Sequence, residues 1–129
     1  METELRVALI DWLRADAVLA TLLNAITEQA PSRAAPPWLG LAASASGDWG
    51  TKDRAGREVR VAFELHCRGD DPGTAGAVTR AVEARIEALP RAHDGFAVAT
   101  IRFLRARAEQ RPGNLRAVLL EYRFRLLAA

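Results

Sequence analysis

The sequence predicts an α+β fold: a largely antiparallel four-stranded sheet with helices packed on one face, in the order α-α-β-β-α-β-β. The first observation is strict alternation over residues 58–67, which is typical of a half-buried strand. The second is helical periodicity at the amino terminus and after residue 72. The third is the turn sequence RPGN between two apolar segments near the carboxyl terminus, which predicts a hairpin. Apolar side chains on one parity of the alternating strand are Val59, Val61, Phe63, Leu65 and Cys67.

The amino-terminal segment predicts two adjoining helices. Residues 3–14 carry Leu5, Leu9 and Leu13 at helical spacing, with Trp12 on the same side. Asp16 is typical of an N-cap, so a second, short helix is expected over residues 17–23.

The next segment alternates between irregular and extended character. Residues 27–37 contain three prolines and no periodicity, which predicts a connector. Residues 38–45 favour a strand. Residues 44–56 form an arm, rich in charge and glycine and bearing Trp49, that leads into the alternating strand.

The second half begins with a turn and a third helix. Asp71 followed by Pro72 is a good N-cap and first-turn pair, and the apolar stripe continues to Leu89 before Pro90 ends the helix. Residues 96–107 predict a strand with apolar side chains on both parities, so it is either buried on both faces or interrupted by a bulge. Residues 115–127 predict the last strand.

Length and composition indicate one ordinary globular domain over residues 1–129. The net charge of +2 is too small by itself to indicate a nucleic-acid-binding protein. Lys52 is the only lysine among 18 basic residues. The single cysteine excludes an intrachain disulfide. The amino terminus lacks the features of a signal peptide, and no apolar run approaches the ~20 residues of a membrane span, so we expect no membrane partner.

No residue pattern predicts catalysis, a cofactor or a metal site. His66 and His93 lie at no metal-ligand spacing from each other or from Cys67. Because neighbouring strand residues point to opposite faces, His66 and Cys67 cannot form a nucleophile–base pair, and Cys67 is expected to be a small buried hydrophobe. Asp70 and Asp71 are better explained as a cap and a solvated turn than as a cation site. We therefore expect the protein not to be an enzyme.

Arginines on the polar parity of the predicted strands suggest a basic sheet face, but this parity lacks the stacking aromatics of an RNA-binding sheet. A solvated or subunit-facing surface is favoured, with Glu64 and Glu121 as ion-pair partners. The arginines concerned are Arg60, Arg105, Arg107, Arg123 and Arg125.

Four stretches together resemble the DUF3168 family, the small tail-completion (tail terminator) proteins of long-tailed phages and gene transfer agents. They are LRVALIDWLRADAVLATLL, PPWLGLAASASGDWGTKDRAGREVRVAFELHC, AGAVTRAVEARIEAL and the closing strand pair. The most specific matches are Asp48-Trp49, Thr51-Lys52 and Gly56-Arg57-Glu58, although Gly50 stands where the family pattern suggests Ser or Thr.

This resemblance implies a structural virion protein that assembles in the bacterial cytoplasm into a homo-oligomeric ring, typically a hexamer. Such a ring caps the head-proximal end of the tail tube, contacts the major tail tube protein and the head connector or stopper, and lets DNA pass without sequence-specific binding. A head-side connector or stopper, or a monomeric binding module unrelated to phages, remains an alternative. Expected contact residues are Asp48, Trp49, Thr51, Lys52, Arg57 and Arg60.

Overall fold

The computed structural model describes residues 1–29 and 33–129. Three helices and six strands make up this part of the chain. In chain order they are α1 (Glu2–Arg14), α2 (Ala17–Leu22), β1 (Ala25–Thr27), β2 (Trp38–Asp48), β3 (Gly56–Arg68), α3 (Pro72–Glu87), β4 (Ala92–His93), β5 (Phe96–Arg111) and β6 (Leu115–Ala128).

All six strands belong to one mixed sheet with the order β1-β2-β3-β6-β5-β4, which curls into a half-barrel. The four long strands pair antiparallel, and β3 and β6 stay in uninterrupted register from Gly56↔Leu127 to Arg68↔Leu115. β1 pairs parallel with β2, from Ala25↔Trp38 to Thr27↔Gly40. The sheet is therefore an antiparallel centre with a short strand added at each edge.

The prediction of a four-stranded, largely antiparallel sheet is wrong, because the sheet has six strands and is mixed. The predicted element order is wrong as well, because it lacks β1 and β4. β1 has three residues and β4 has two, and strands this short leave no alternation in the sequence. They become strands only because an existing sheet edge offers them backbone partners. Thr27, at the start of the predicted connector, ends β1, and residues 30–32 of that connector lie outside the described residues.

The helix boundaries and caps follow the sequence closely. Asp16 caps α2 by accepting a hydrogen bond from the Leu19 backbone N–H at 3.0 Å. Asp71 caps α3 by accepting from the N–H groups of Gly73 and Thr74, and Pro72 occupies the first turn. Both predicted N-caps are confirmed, because each carboxylate meets amides that have no partner within the helix.

One continuous core lies between the helices and a single face of the sheet. The alternating side chains of β3, from Val59 to Cys67, are buried there together with the even-numbered residues of β6 from Val118 to Leu126. Tyr122 lies at the centre, fully buried, and its hydroxyl donates to Glu87 Oε2 at 2.9 Å. Burial and this acceptor raise the pKa of Tyr122.

Trp12 and Arg85 fasten α1 to α3 at the rim of the core. The Trp12 ring nitrogen donates to the Arg85 carbonyl at 2.7 Å, and Arg85 Nε donates to the Trp12 carbonyl at 2.9 Å. The Arg85 guanidinium also lies 3.3 Å from the centroid of the Trp12 ring. Trp12, which the sequence places on the apolar side of α1, is thus half-buried, and it links α1 and α3 through hydrogen bonds and a cation–π contact.

Bulges explain why β5 is apolar on both parities. The register against β6 shifts between Val98 and Thr100 and again between Phe103 and Arg105. Each extra residue reverses which parity faces the core, so Phe96 and Ile101 both point to the helix side. Of the two explanations that the sequence left open, the bulge is confirmed.

We predict that Phe63→Ala lowers the free energy of unfolding by about 3–5 kcal/mol, because its side chain is fully buried against Tyr122. Phe103→Ala is the matched control: Phe103 also packs edge-on against Tyr122 but is 42% exposed, so its loss should cost clearly less. Chemical denaturation measures both values. Equal losses would contradict the difference in burial between these two side chains.

Candidate functional site: the hairpin tip and the open sheet face

The tip of the β2–β3 hairpin, residues 49–55, is an ordered turn. Trp49 N–H donates to the Gly56 carbonyl at 3.1 Å, and Thr51 N–H donates to the Arg54 carbonyl at 2.8 Å. Asp48 Oδ1 accepts from Gly50 N–H at 3.1 Å, and Thr51 Oγ1 accepts from Arg54 N–H at 3.2 Å. Short polar side chains thus satisfy the backbone of the turn locally.

The tip is tied to the end of β6. Arg54 donates from Nε and Nη2 to the Ala128 carbonyl, at 3.0 and 2.6 Å, and Ala128 N–H donates to the Ala55 carbonyl at 2.9 Å. At Gly56 the backbones come so close that a Cβ atom would lie 2.7 Å from the Trp49 carbonyl oxygen and 2.9 Å from that of Leu126. These contacts hold the tip in one position relative to the sheet.

Trp49 lies on the open face of the sheet, the face without helices. Its half-buried ring lies 5.4 Å from the Arg125 guanidinium, and Arg125 Nε donates to Glu58 Oε2 at 3.2 Å. The aromatic side chain therefore packs partly on its own sheet and leaves the rest of its surface available to a partner.

The structure brings some of the predicted contact residues together and separates others. Asp48 directly precedes the tip, Trp49 is its first residue, and Thr51 and Lys52 lie exposed within it. Arg57 pairs with Asp48 across the hairpin and shares its face, whereas Arg60, three residues on, lies on the open face. The predicted contact residues thus form a cluster at the tip, with Arg57 next to it on the helix side of the sheet and Arg60 on the open face.

A row of three arginines crosses the open face. Arg60 is the register partner of Arg123, and Arg123 is the register partner of Arg102 on the next strand. Within residues 1–29 and 33–129, none of the three has a carboxylate within 4.0 Å, and the buried Nε of Arg123 has no hydrogen-bond partner. Like charges directly opposite each other on a sheet are destabilising, so this row is suited to an anionic or carboxylate-bearing partner.

Glutamates neutralise the arginines on either side of this row. Arg105 Nε lies 2.9 Å from Glu121, which confirms Glu121 as an ion-pair partner. Glu64 also forms an ion pair, but its arginine is Arg111, at 3.4 Å, and not a member of the predicted basic face. Arg111 also lies 2.7 Å from Glu109 and lowers the pKa of that carboxyl through a side-chain hydrogen bond.

The open face also holds a groove of about 600 Å³ that reaches from β2 to β5. Its β2 side is built from small residues, and its β5 side consists of Leu104 and Arg105. The lining includes Ala43, Ala45, Arg60, Arg105 and Glu121.

His66 and Cys67 have separate roles in packing. The His66 ring stacks on Trp38 with centroids 4.1 Å apart, and its Nε2 lies 2.6 Å from Glu64 Oε1. Cys67 is buried in the core, as predicted, and burial raises the pKa of its thiol. The described residues contain no group of three or more His, Cys, Asp or Glu positioned to hold a metal ion, and no helix among them is long and apolar enough to span a membrane.

The positions of two residues of this surface do not follow from the sequence pattern. Arg102 completes the arginine row, but its parity in β5 follows from the first bulge, so alternation counted from Phe96 places it wrongly. Arg54 anchors the tip through a carbonyl 74 residues away in the chain, for which the sequence holds no signal. The apolar residues on both parities of β5 were the available sign of a register change.

The sequence over residues 7–127 matches the family of tail completion protein gp17. The chain belongs to this family. A chain in the solved structure of the virion of a native gene transfer agent particle has the same fold: the TM-score is 0.82 at 25% identity, over 97% of this chain and 95% of that one. No protein of curated function matches significantly. This tail completion protein is therefore a structural, tail-related protein of the virion.

We predict that Gly56→Ala destabilises the tail completion protein by about 1–3 kcal/mol, since the new methyl group meets two backbone carbonyls that cannot move independently. Gly47→Ala in the same hairpin is the control, because a Cβ there has no neighbour within 4 Å. Thermal unfolding compares the two. A Gly56→Ala variant as stable as Gly47→Ala would refute the close approach at the base of the tip.

Proposed function

We propose that this tail completion protein is a tail terminator: it forms a homo-oligomeric ring that closes the head-proximal end of the tail tube. By analogy with the DUF3168 family, which the sequence resembles, the ring has six subunits. The ring joins the tube to the head connector or stopper, and DNA passes through it. The family and the similarity to a chain of a gene transfer agent virion support a tail-related role. The observation that carries the finer proposal is the anchored, exposed and charged hairpin tip.

A preorganised tip suits a contact between subunits or between ring and tube. Lys52 is exposed at the turn, and the turn itself is held by Thr51, Arg54 and the end of β6. Because the backbone of the turn is already ordered, little conformational entropy is lost when a partner binds. Trp49 supplies a large amphipathic surface beside this charge, the kind of side chain that is enriched at protein interfaces.

The composition of the open face supports a protein partner over tight DNA binding. The arginines of this face are interspersed with glutamates that form ion pairs with most of them, which leaves the Arg60–Arg123–Arg102 row as its main uncompensated positive charge. A surface that carries charges of both signs favours ion pairs and hydrogen bonds with another polypeptide, and its attraction for DNA is weak and non-specific.

We predict that Lys52→Glu combined with Arg57→Glu weakens ring formation or tube capping at least about tenfold, because each substitution reverses an exposed charge at the hairpin. Arg91→Glu is the control, since Arg91 is exposed in the segment between α3 and β4. Native mass spectrometry and electron microscopy of purified tail tubes provide the measurements.

Unimpaired assembly and capping by the double variant would remove the tip from the mechanism. Binding to portal or connector protein but not to tube ends would favour a head-side connector instead. A wild-type protein that stays monomeric at all concentrations and binds neither component would overturn the proposal in favour of an unrelated binding module.

We further predict that the protein binds double-stranded DNA only weakly and without sequence preference, and that this binding disappears by about 0.2 M salt. The reason is that the net charge is only +2 and that four arginines of the open face, Arg105, Arg107, Arg111 and Arg125, are already paired with glutamates. Filter binding with two unrelated duplexes measures it, with Arg123→Ala expected to reduce the low-salt signal further. Sequence-selective binding that survives this salt concentration would contradict the prediction.

A further inference from the structure

The two outer long strands of the sheet, β2 and β5, are each paired along only a short part of their outer edge. β1 covers β2 only from Trp38 to Gly40, and β4 covers β5 only at Phe96 and Ala97. Among the described residues, the rest of each edge has no strand beside it. The free stretch of β2 runs over residues 42–48 and that of β5 over residues 99–111.

Backbone groups of β2 point outward along its free stretch. The Trp49 N–H donates to the Gly56 carbonyl. In an antiparallel pair the bonded residues alternate, so the N–H and C=O groups of Gly47 and Ala45 also point toward β3. The alternate residues Ser44, Ser46 and Asp48 then present N–H and C=O groups to the outside. An added strand can bond to all three.

The β2 edge lacks the features that protect sheet edges. Proteins block such edges with charged side chains, proline or bulges, yet the free stretch of β2 reads AASASGD and has its bulge only at its start. All of its residues are exposed except the half-buried Ser44, so neither face is covered. Small side chains leave the approach to its backbone open.

The β5 edge has the opposite character. It carries the exposed side chains of Arg105 and Arg107, at 69% and 68% exposure, as well as Arg102 and Arg111. Arg105 pairs with Glu121, and Arg107 and Arg111 pair with Glu109, so this edge carries charged side chains of both signs. Charged side chains on an edge strand hinder the pairing of two such edges with each other.

Next to the free start of β2 lies a groove of about 520 Å³ whose charged lining residues are Glu2, Arg6 and Glu28. Arg6 pairs with Glu28, so Glu2 is the carboxylate of this groove without an ion pair among the described residues.

We infer that β2 of one copy pairs antiparallel with β5 of a second copy, which joins the sheets of successive subunits head to tail. Within a subunit three antiparallel steps separate β2 from β5, so the two strands run in opposite directions. Rotation about an axis along the strands preserves these directions, and the contact between copies is then antiparallel. This direction places the carboxyl-terminal half of β5 beside the start of β2, near the groove that contains Glu2.

This inference rests on the proposed ring, because a heterologous contact of this kind closes only in a cyclic assembly. It goes further by assigning the two surfaces that meet and the backbone bonds that join them. The hairpin tip then lies at one end of the contact, where it is free to contact a further partner.

Ser46→Pro tests the β2 side. Its N–H points away from β3, so proline removes no bond within the subunit, but it takes away a donor and obstructs a strand added outside. We expect a folded protein whose assembly is weakened by about tenfold or more. Ser46→Ala, which keeps the N–H, should assemble like the wild type. Circular dichroism checks folding, and native mass spectrometry, with and without tail tubes, checks assembly.

Cross-linking identifies the strand that meets β2, and it does not depend on the proline variant folding. Ser46→Cys protein is mixed with Ala106→Cys protein and treated with a short bis-maleimide. Cross-links between the two variants, and none within either variant alone, are expected.

Normal rings formed by Ser46→Pro, or Ser46→Cys copies that cross-link to each other, would overturn the β2–β5 contact while leaving a ring by another surface possible. A wild-type protein that forms no oligomer even on tube ends would overturn the proposed function itself.

Discussion

The burial of one face of β3 is the constraint on which the rest of this structure depends. Five alternating apolar side chains lie in the core, and β3 is hydrogen-bonded on both sides, to β2 and to β6. A shift of one residue in the β3–β6 register would expose all five, so the register is strongly specified. The helices, the buried Tyr122 and the position of the hairpin tip all follow from this placement.

The same constraint explains why the polar face is left open. Along β3 and β6, each residue that points to the helices is followed by a residue that points to the opposite face. Arg60, Arg123 and Arg125 therefore share the open face. Arg102 joins them from β5 because a bulge changes the parity of that strand. The result is a rigid surface of arginines and glutamates, which is a property suited to contacts between protein subunits in a virion.

Contacts outside the hydrophobic core hold two parts of the outer surface in place. Trp12 and Arg85 lock the two long helices together through reciprocal hydrogen bonds. Arg54 locks the hairpin tip to the last residues of β6. Neither device lies in the hydrophobic core, so each fixes a part of the outer surface that burial alone leaves free to move.

Periodicity and capping are local properties of the chain. The three helices with two of their caps, the four long strands, the buried face of β3 and the burial of Cys67 therefore follow from the sequence. It did not determine β1 or β4, which are strands only because a sheet edge lies beside them. The sequence places Arg60 and Arg123 on the polar face, but it reveals neither that Arg102 completes their row nor that Arg54 anchors the tip. Strand pairing, bulges and a hydrogen bond between residues 54 and 128 depend on which segments meet in space, and only the tertiary structure decides that.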